Sequence, residues 1–568
     1  MTQPGRAGQP GVLIGAVCGV IAAAVAMGVA QLLAGISIPQ SSPVLAVGQA
    51  DIDATPLAVK DWATSTFGTN DKNVLLTGVL MVVFLYAAGV GILAVRSLRL
   101  GMAGIAVFAA LGMSAALTRP GASPAYVLPT LGGAAVGAFA LYRLVVKARA
   151  AAAASAARAP APLPPIVFGG AGSPSGPGGP GGSGGSGAPG GELRAPDLPG
   201  TSVPPLRVPP RQPSERRAFL VTAGVSLAGA AAGGYIGRQL TTRHNVTAAR
   251  SAVRFPRPAV AAPALPAGSS LPIPGISPFI TPNGAFYRVD TALLVPEVDP
   301  RNWTLRIHGM VAREIEVTFD DLLRRPLIED YVTLCCVSNP VSGPYIGNAK
   351  FLGASYGALI REARPLRGAD QLFCTSVDGF TSGTPLSVVL DTGRDSLVAV
   401  AMNDAPLPVD HGFPARLVVP GLYGYVSACK WVADIQVTTF AAATAYWGQR
   451  GWSQQAPIKT ESRIDVPAGG SSVKAGRVAV AGVAWAQHKG IEAVEVRVDG
   501  GPWQQATLAA VPDLDTWRQW VWYWDAKAGP HLLEARATDK TGYTQTALQA
   551  DVAPNGATGY PQSQITVF

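Results

Sequence analysis

Four stretches in the first quarter of the chain carry almost no charge: residues 11–36, 74–95, 101–117 and 125–146. A helix needs about 20 apolar residues to cross the hydrocarbon core of a bilayer, so each predicts a transmembrane helix. The third, short and rich in Ala and Gly, is the weakest of them. Any one of these stretches also reads as a buried core helix; four in succession do not. Beyond residue 276 the pattern changes to short alternating runs. WTLRIHG and ARLVVPG predict strands, and TFDDLLRRP predicts a turn of helix capped by Thr318. VEVRVDGG sets Val494, Val496 and Val498 on one face before an Asp-Gly-Gly turn, the pattern of a β-hairpin. The expected architecture is N-terminal transmembrane helices, then an α+β domain, then an all-β domain.

Between these regions the composition shifts twice. Residues 151–213, with GGAGSPSGPGGPGGSGGSGAPGG inside Pro-rich flanks, cannot bury a core and predict a flexible cytoplasmic linker. Next, SERRAFLVTAGVSLAGAAAGGYIG sets Arg216 and Arg217 before Phe219, Leu220 and a mildly apolar stretch. This resembles a twin-arginine export signal placed internally; two arginines flanking an ordinary fifth span is the simpler alternative. Ala259-Val260-Ala261 suits a signal peptidase but lies far past the apolar run, so a retained anchor is expected. Pro256, Pro258, Pro263 and Pro266 then predict an extended tether holding the following domain off the membrane.

Charge orients the spans. The first loop carries Asp51, Asp53, Asp61 and Asp71 against Lys60 and Lys72, whereas Arg96, Arg99, Lys147 and Arg149 follow the second and fourth spans. Basic residues stay in the cytoplasm, so the N-terminus lies inside and everything after about residue 237 lies outside. The net charge of +9 is otherwise scattered, with no Lys/Arg stripe interleaved with aromatics, which excludes a nucleic-acid partner. The 5 cysteines are too few for a disulfide scaffold and lack paired CxxC spacing. Cys18 reads as packing inside a span, and Cys374 and Cys429 as core residues, although a disulfide between them is open outside the cell.

Three groups of residues carry candidate chemistry. In TLCCVSNPVSGPYIGNAKFLG, Cys336 precedes a polar, Gly-rich loop, where a thiolate serves as nucleophile or soft metal ligand, or is simply buried. In DHGFPARLVVPGLYGYVSACKWV, His411, Arg416, Ser427 and Lys430 combine a fork, a point charge and neutral donors. That set suits a phosphate-like anion, and equally a solvated face. In FYRVDTALLVP, Arg288 sits among aromatic and apolar neighbours and is weak evidence alone.

Together the three resemble the molybdopterin domain of the sulfite oxidase family, in order and spacing. The family motif TLxCxxN is matched by Thr333 to Asn339 and gives the molybdenum-ligand role to Cys336 rather than Cys335. The family signature HGFPxRxVVPG…KW is matched from His411 to Trp431, which implies that His411, Arg416, Ser427 and Lys430 hold the pterin and its phosphate, with Asn339 and Tyr287 beside them. The family element FFxRN is matched by FYRVD, which implies a substrate-side role for Arg288. Two departures weaken sulfite as the substrate: Val400 stands where animal sulfite oxidases carry a tyrosine, and the loop from Gly424 to Lys430 is one residue longer.

The resemblance implies a molybdenum–molybdopterin cofactor, oxygen-atom transfer coupled to two-electron chemistry, and a small oxo-anion or S-oxide substrate. Without a CxxCH motif, the electrons are expected to pass to a separate cytochrome or quinone. The tryptophans at 517, 520, 522 and 524, with HLLEARATDKTGYTQ after them, resemble the immunoglobulin-like dimerisation domain of the family, implying a homodimer. The expected organisation is then 1–150 four transmembrane helices, 151–213 linker, 214–237 export-like motif and fifth helix, 238–275 tether, 276–450 molybdopterin domain and 457–568 immunoglobulin-like domain. The catalytic part is placed on the outer side of a cell membrane, anchored in its lipid. Competing readings are an S-oxide or nitrate reductase on the same fold, a ligand-binding ectodomain without catalysis, and a cysteine-dependent acyl transferase pairing Cys336 with His411.

Overall fold

The computed structural model describes residues 10–37, 41–56, 59, 66–67, 71–119, 122–157, 215–243 and 246–568. Five of its helices are long and apolar enough to cross a membrane: Val12–Ile36, Val74–Arg96, Leu98–Leu117, Pro124–Ser155 and Arg217–Gly237. The third of these is longer than the sequence pattern indicated. The fourth continues as helix to Ala157, so the expected linker begins later than residue 151. Its remainder, from 158 to 213, and the loop residues Lys60 and Asp61 lie outside the described residues. A helix not foreseen, Pro43–Ala54, follows the first span; its proline stands at the first turn, where no N–H is needed.

The chain divides into two compact units. In the first, residues 1–26, 82–107 and 134–232, helices approach through small residues. A Cβ placed on Gly19 would fall 1.9 Å from the Ala87 carbonyl oxygen, so only glycine admits this approach. Arg149 donates to the carbonyls of Ala94 (2.9 Å) and Val95 (2.9 and 3.2 Å), satisfying acceptors that a helix C-terminus leaves open.

The second unit contains the β-rich half. Its first ten strands are β1 (Thr304–Gly309), β2 (Ile315–Thr318), β3 (Leu327–Cys335), β4 (Ile346–Ser355), β5 (Gln371–Ser376), β6 (Thr381–Pro385), β7 (Leu397–Met402), β8 (Ala405–Pro406), β9 (Arg416–Val418) and β10 (Val432–Thr438). They form two sheets, β2-β1-β10-β5-β6 and β3-β4-β7-β8, with β9 added on β7. The predicted strands TLRIHG and ARLVVPG are β1 and β9. Helix Phe319–Arg324 begins at Thr318 with a reciprocal capping box to Asp321. Short helices such as Tyr356–Ala363 pack on the sheets, so the region is mixed and rich in β structure.

The remaining strands are β11 (Glu461–Val466), β12 (Ser472–Val473), β13 (Gly476–Trp485), β14 (Ile491–Val498), β15 (Gln504–Gln505), β16 (Thr507–Leu508), β17 (Arg518–Ala526), β18 (Gly529–Asp539) and β19 (Gln562–Val567). They make sheets of four (β11-β13-β17-β16) and five strands (β12-β19-β18-β14-β15). Val494 and Val496 face their shared core with Trp520, Leu533 and Ile565. The Asp-Gly-Gly turn after β14 has positive φ at Asp499 and Gly500, the left-handed region that a tight turn favours. Trp485 and Trp517 belong instead to the core of the first β region. The two regions are joined there at Thr333 of β3: its N–H donates to Asp515 O (2.9 Å), its hydroxyl accepts from Trp517 N (2.7 Å), and its carbonyl accepts from Gln487 Nε2 (2.9 Å).

The Pro-rich segment expected as an extended tether is laid along this half. Ala259 N donates to Leu327 O (2.8 Å), Val260 bridges Ile328 in parallel, and Leu271 N donates to Gln519 Oε1 (2.7 Å). Val246 is buried beside Phe286 and Phe413, and Arg250 Nε donates to Leu407 O (2.7 Å). Proline leaves fewer backbone donors to satisfy, which suits a segment pressed onto a sheet edge.

Candidate active site

Strand β3 ends at Cys335, and the next residue turns out of the sheet. Cys335 is 1% exposed in the core, and its sulfur donates to the carbonyl of Cys336 (3.5 Å). Cys336 is partly accessible, and its sulfur lies 2.9 Å from Ser338 Oγ. Adjacent cysteines on an extended chain point to opposite sides, so one faces the core and the other the site. Burial pushes the Cys336 thiol up, with Ser338 and the charge of Lys430 opposing it. Asn339, 3% exposed, closes the loop by accepting from Tyr345 N (2.8 Å). Gly343 fits under it because a Cβ there would sit 2.5 Å from Asn339 Oδ1.

The segment from His411 to Lys430 wraps the same place. Gly412 has φ +111°, and a Cβ on it would meet Arg416 Cβ at 2.9 Å and Lys430 Cβ at 3.2 Å. Glycine is therefore required for the turn that brings these cations together. Arg416 is 5% exposed; one terminal nitrogen donates to His411 O (3.2 Å) and its guanidinium lies 6.0 Å from the Phe351 ring centroid. Burial lowers Arg416 to about 10 and His411 to about 4, the latter also through the Arg416 charge, so His411 is neutral at pH 7. Lys430 Nζ donates to Asp290 Oδ2 (2.8 Å) and Asp410 O (3.1 Å), and burial lowers it to about 8.

Tyr287 is stacked on Phe286 (5.3 Å between centroids), whose edge meets His411. Burial pushes the Tyr287 hydroxyl well up, with the neighbouring thiols Cys336 and Cys335 adding to it. Arg288 turns outward, 37% exposed, and donates from Nε to Asp290 Oδ2 (2.7 Å). Laid letter for letter on FYRVD, the FFxRN element puts its arginine at Val289 and its asparagine at Asp290. The cation has thus moved by one residue, and a carboxylate has entered. Ser427 is differently employed: its hydroxyl donates to Leu422 O and Tyr423 O (3.0 Å each), which leaves it only lone pairs to offer a ligand. Cys374 and Cys429 are free thiols in the core, as read from sequence.

Sequence reasoning missed Asp290 and Asp410. The only signal was their adjacency to Arg288 and His411, which does not distinguish a buried bridge from a solvated charge.

Two buried donors face no acceptor: Asn339 Nδ2 and Arg416 Nε. Such atoms are rare unless a water or ligand serves them. Among the described residues no cluster of three or more His, Cys, Asp or Glu could hold a metal by itself. The donors around Cys336 suit an oxygen-rich anionic ligand. A molybdenum–pterin group fits that description.

Residues 292–447 match the family described as "Oxidoreductase molybdopterin binding domain". The chain is 29% identical to mitochondrial sulfite oxidase of Rattus norvegicus over 293 residues, covering 44% of this chain and 53% of that protein. It is 28% identical to sulfite oxidase of Gallus gallus over 312 residues, 46% of this chain and 67% of the relative. It is also 26% identical to nitrate reductase [NADH] 1 of Oryza sativa over 331 residues, 47% and 36% of the two chains. The chain thus spans about half the length of the mammalian relatives it matches. Among solved structures it is similar to the sulfane dehydrogenase SoxCD from Paracoccus pantotrophus, with TM-score 0.44 and 24% identity over 50% of this chain and 80% of that one.

Proposed function

We propose, for a chain that belongs through residues 292–447 to the sulfite oxidase family of molybdopterin oxidoreductases, a molybdenum-dependent enzyme of oxygen-atom transfer. The observation that carries this reading is the pair of partnerless buried donors, Asn339 Nδ2 and Arg416 Nε, beside the half-buried Cys336. Cys336 would hold the metal, while Arg416, Lys430, Asn339, neutral His411 and Tyr287 would hold the pterin and its phosphate. Molybdenum–molybdopterin bound there supplies oxygen-atom transfer coupled to a two-electron change. The protein's own residues fix the thiolate with Ser338, neutralise the phosphate with a guanidinium fork, and wall off water with Phe286 and Tyr287.

The five apolar helices support an anchored enzyme whose catalytic half lies outside the cytoplasmic membrane, exported after cofactor insertion. Electrons would then pass to a cytochrome or quinone. Trp522 and Trp524 of β17, half-buried, pack with Trp520 against the core between the two sheets, which supports an immunoglobulin-like module, and the family resemblance supports a module that pairs two copies. A second reading, an S-oxide or nitrate reductase, is favoured by the altered Arg288–Asp290 arrangement and by the nitrate reductase relative.

Metal and pterin analysis of the full chain, produced in a molybdenum-competent host, tests the proposal. About one molybdenum per chain, with redox activity abolished in Cys336→Ala, is the expected result. A folded wild type with neither metal nor pterin would overturn it in favour of a ligand-binding ectodomain.

A further inference from the structure

We infer that Arg463, on the first strand of the C-terminal β module, is a positioning residue for the Cys336 loop, so that this module completes the metal site. The inference rests on the reading of Cys336 as the metal ligand. The loop keeps its own shape: Cys336 N donates to Tyr345 O (2.9 Å), Asn339 N to Cys336 O (3.1 Å) and Gly343 N to Pro340 O (2.8 Å). These bonds run within residues 336–345. From β11, Arg463 reaches across and donates one terminal nitrogen to Gly343 O (2.9 Å). Gly343 is the residue packed beneath Asn339, which is bonded in turn to Cys336. A hydrogen bond from the module thus bears on the turn that sets Asn339 and, through it, the thiol.

The guanidinium is fixed on its other sides. Its Nε donates to Asp465 Oδ1 (2.7 Å) and its second terminal nitrogen to Ser277 Oγ (2.7 Å), while Ser277 N donates to Asp465 Oδ2 (2.9 Å). Arg463, Asp465 and Ser277 therefore close a ring, with the two charged side chains 12% and 8% exposed. Gln519 Nε2 of β17 anchors the same serine through its carbonyl (2.6 Å). Charge-assisted bonds on three sides leave the guanidinium little freedom. The strand is shaped here as well: β11 carries one residue more than β13 at Asp465, a bulge of the kind that re-aims side chains beside sites. Lysine would not replace the fork, because a point charge cannot serve Gly343 O, Asp465 and Ser277 at fixed angles.

The test reads the thiol directly. In the cofactor-free full chain, iodoacetamide alkylation of Cys336, followed by peptide mass spectrometry, should run about tenfold faster in Arg463→Met than in wild type, because the loop is released. In the molybdenum-loaded full chain, reduced with dithionite, the same variant should shift the Mo(V) electron paramagnetic resonance signal, as a displaced thiolate ligand requires. Arg463→Lys should lie between the two proteins. Arg536→Met, which breaks a comparable pair with Glu495 (2.8 Å) elsewhere in the module, should match wild type in both readouts. A folded Arg463→Met with wild-type alkylation and resonance would overturn the inference, and so would an Arg536→Met that changes both equally. If Arg463→Met does not fold, Arg463→Lys decides by the same two readouts, wild-type values again overturning it. A wild type without molybdenum and pterin fails the molybdopterin reading itself, a separate outcome, while the alkylation comparison still reads the loop.

Discussion

Among the buried polar atoms without partners in the β-rich half, two groups lack opposite things. Around Cys336 the orphans are donors, Asn339 Nδ2 and Arg416 Nε. Where the two β regions meet they are chiefly acceptors: Asp513 Oδ2, Asp515 Oδ1, Gln487 Oε1 and Glu461 Oε1, with the donors Arg394 Nε and Trp485 Nε1 the exceptions. An unpartnered buried group costs about 1–3 kcal/mol, so both arrangements require compensation. Donors are completed by an acceptor-rich ligand. Carboxylate oxygens are completed by protons: burial pushes Asp330 and Glu461 up to about 8 and Asp513 to about 6, with neighbouring aspartates adding to the shift of Asp330. The comparison teaches that the first place is built for a ligand and the second for solvent protons.

The contrast can be broken most forcefully at its centre. Cys336→Ser should lower redox turnover by more than about a hundredfold, beyond what loss of an outer-shell group costs, while circular dichroism stays unchanged. Retained turnover would mean that this thiol is not the metal ligand. Next in size is Arg416→Met, where the two roles of one residue separate. Cofactor retention should be lost, while the cofactor-free fold gains about 1 kcal/mol in denaturant melts, because a buried guanidinium whose Nε has no acceptor has been removed. Loss of stability in the cofactor-free protein would show that Arg416 is structural.

The seam predicts a dependence on pH. Asp330 and Glu461 have folded-state values near 8, raised above the ordinary carboxylate range. The folded state then binds more protons than the unfolded state between about pH 4 and pH 8. Their contribution is fully present below about pH 4 and is lost as pH rises toward 8. Asp330→Asn should flatten that decline by about 2 kcal/mol, read as melting temperature against pH. A stability that rises through this window in the wild type would contradict the assignment. The smallest effect lies away from both places: Arg250→Ala should cost about 1 kcal/mol by releasing its carbonyl acceptors, Leu407 O and Pro406 O, with cofactor content unchanged.

What the sequence revealed follows from range. The alternation in TLRIHG, the Thr318–Asp321 cap and the Asp499–Gly500 turn are set by residues within a few positions, and they are legible as such. The gathering of His411, Arg416 and Lys430 is also local, because one glycine turn and one short loop hold them. The bridge from Asp290 to Lys430 spans 140 residues, and the seam brings Asp330 beside Asp513 and Asp515. No periodicity records such meetings. The Pro-rich segment is legible only in part, for a different reason. Its composition specifies an extended chain, and only the exposed edge at Leu327 and Ile328 decides that the chain is docked.

The docking of Val246 and Arg250 also fixes a leash. Eight residues separate Gly237, where the apolar span of the fifth helix ends, from Val246, the first buried side chain of the β-rich half. Even fully extended they reach at most about 30 Å. With that helix in a bilayer, as proposed, the catalytic half explores only a thin shell above the membrane. A redox partner confined to the same surface is then met at high effective concentration, by two-dimensional rather than bulk diffusion.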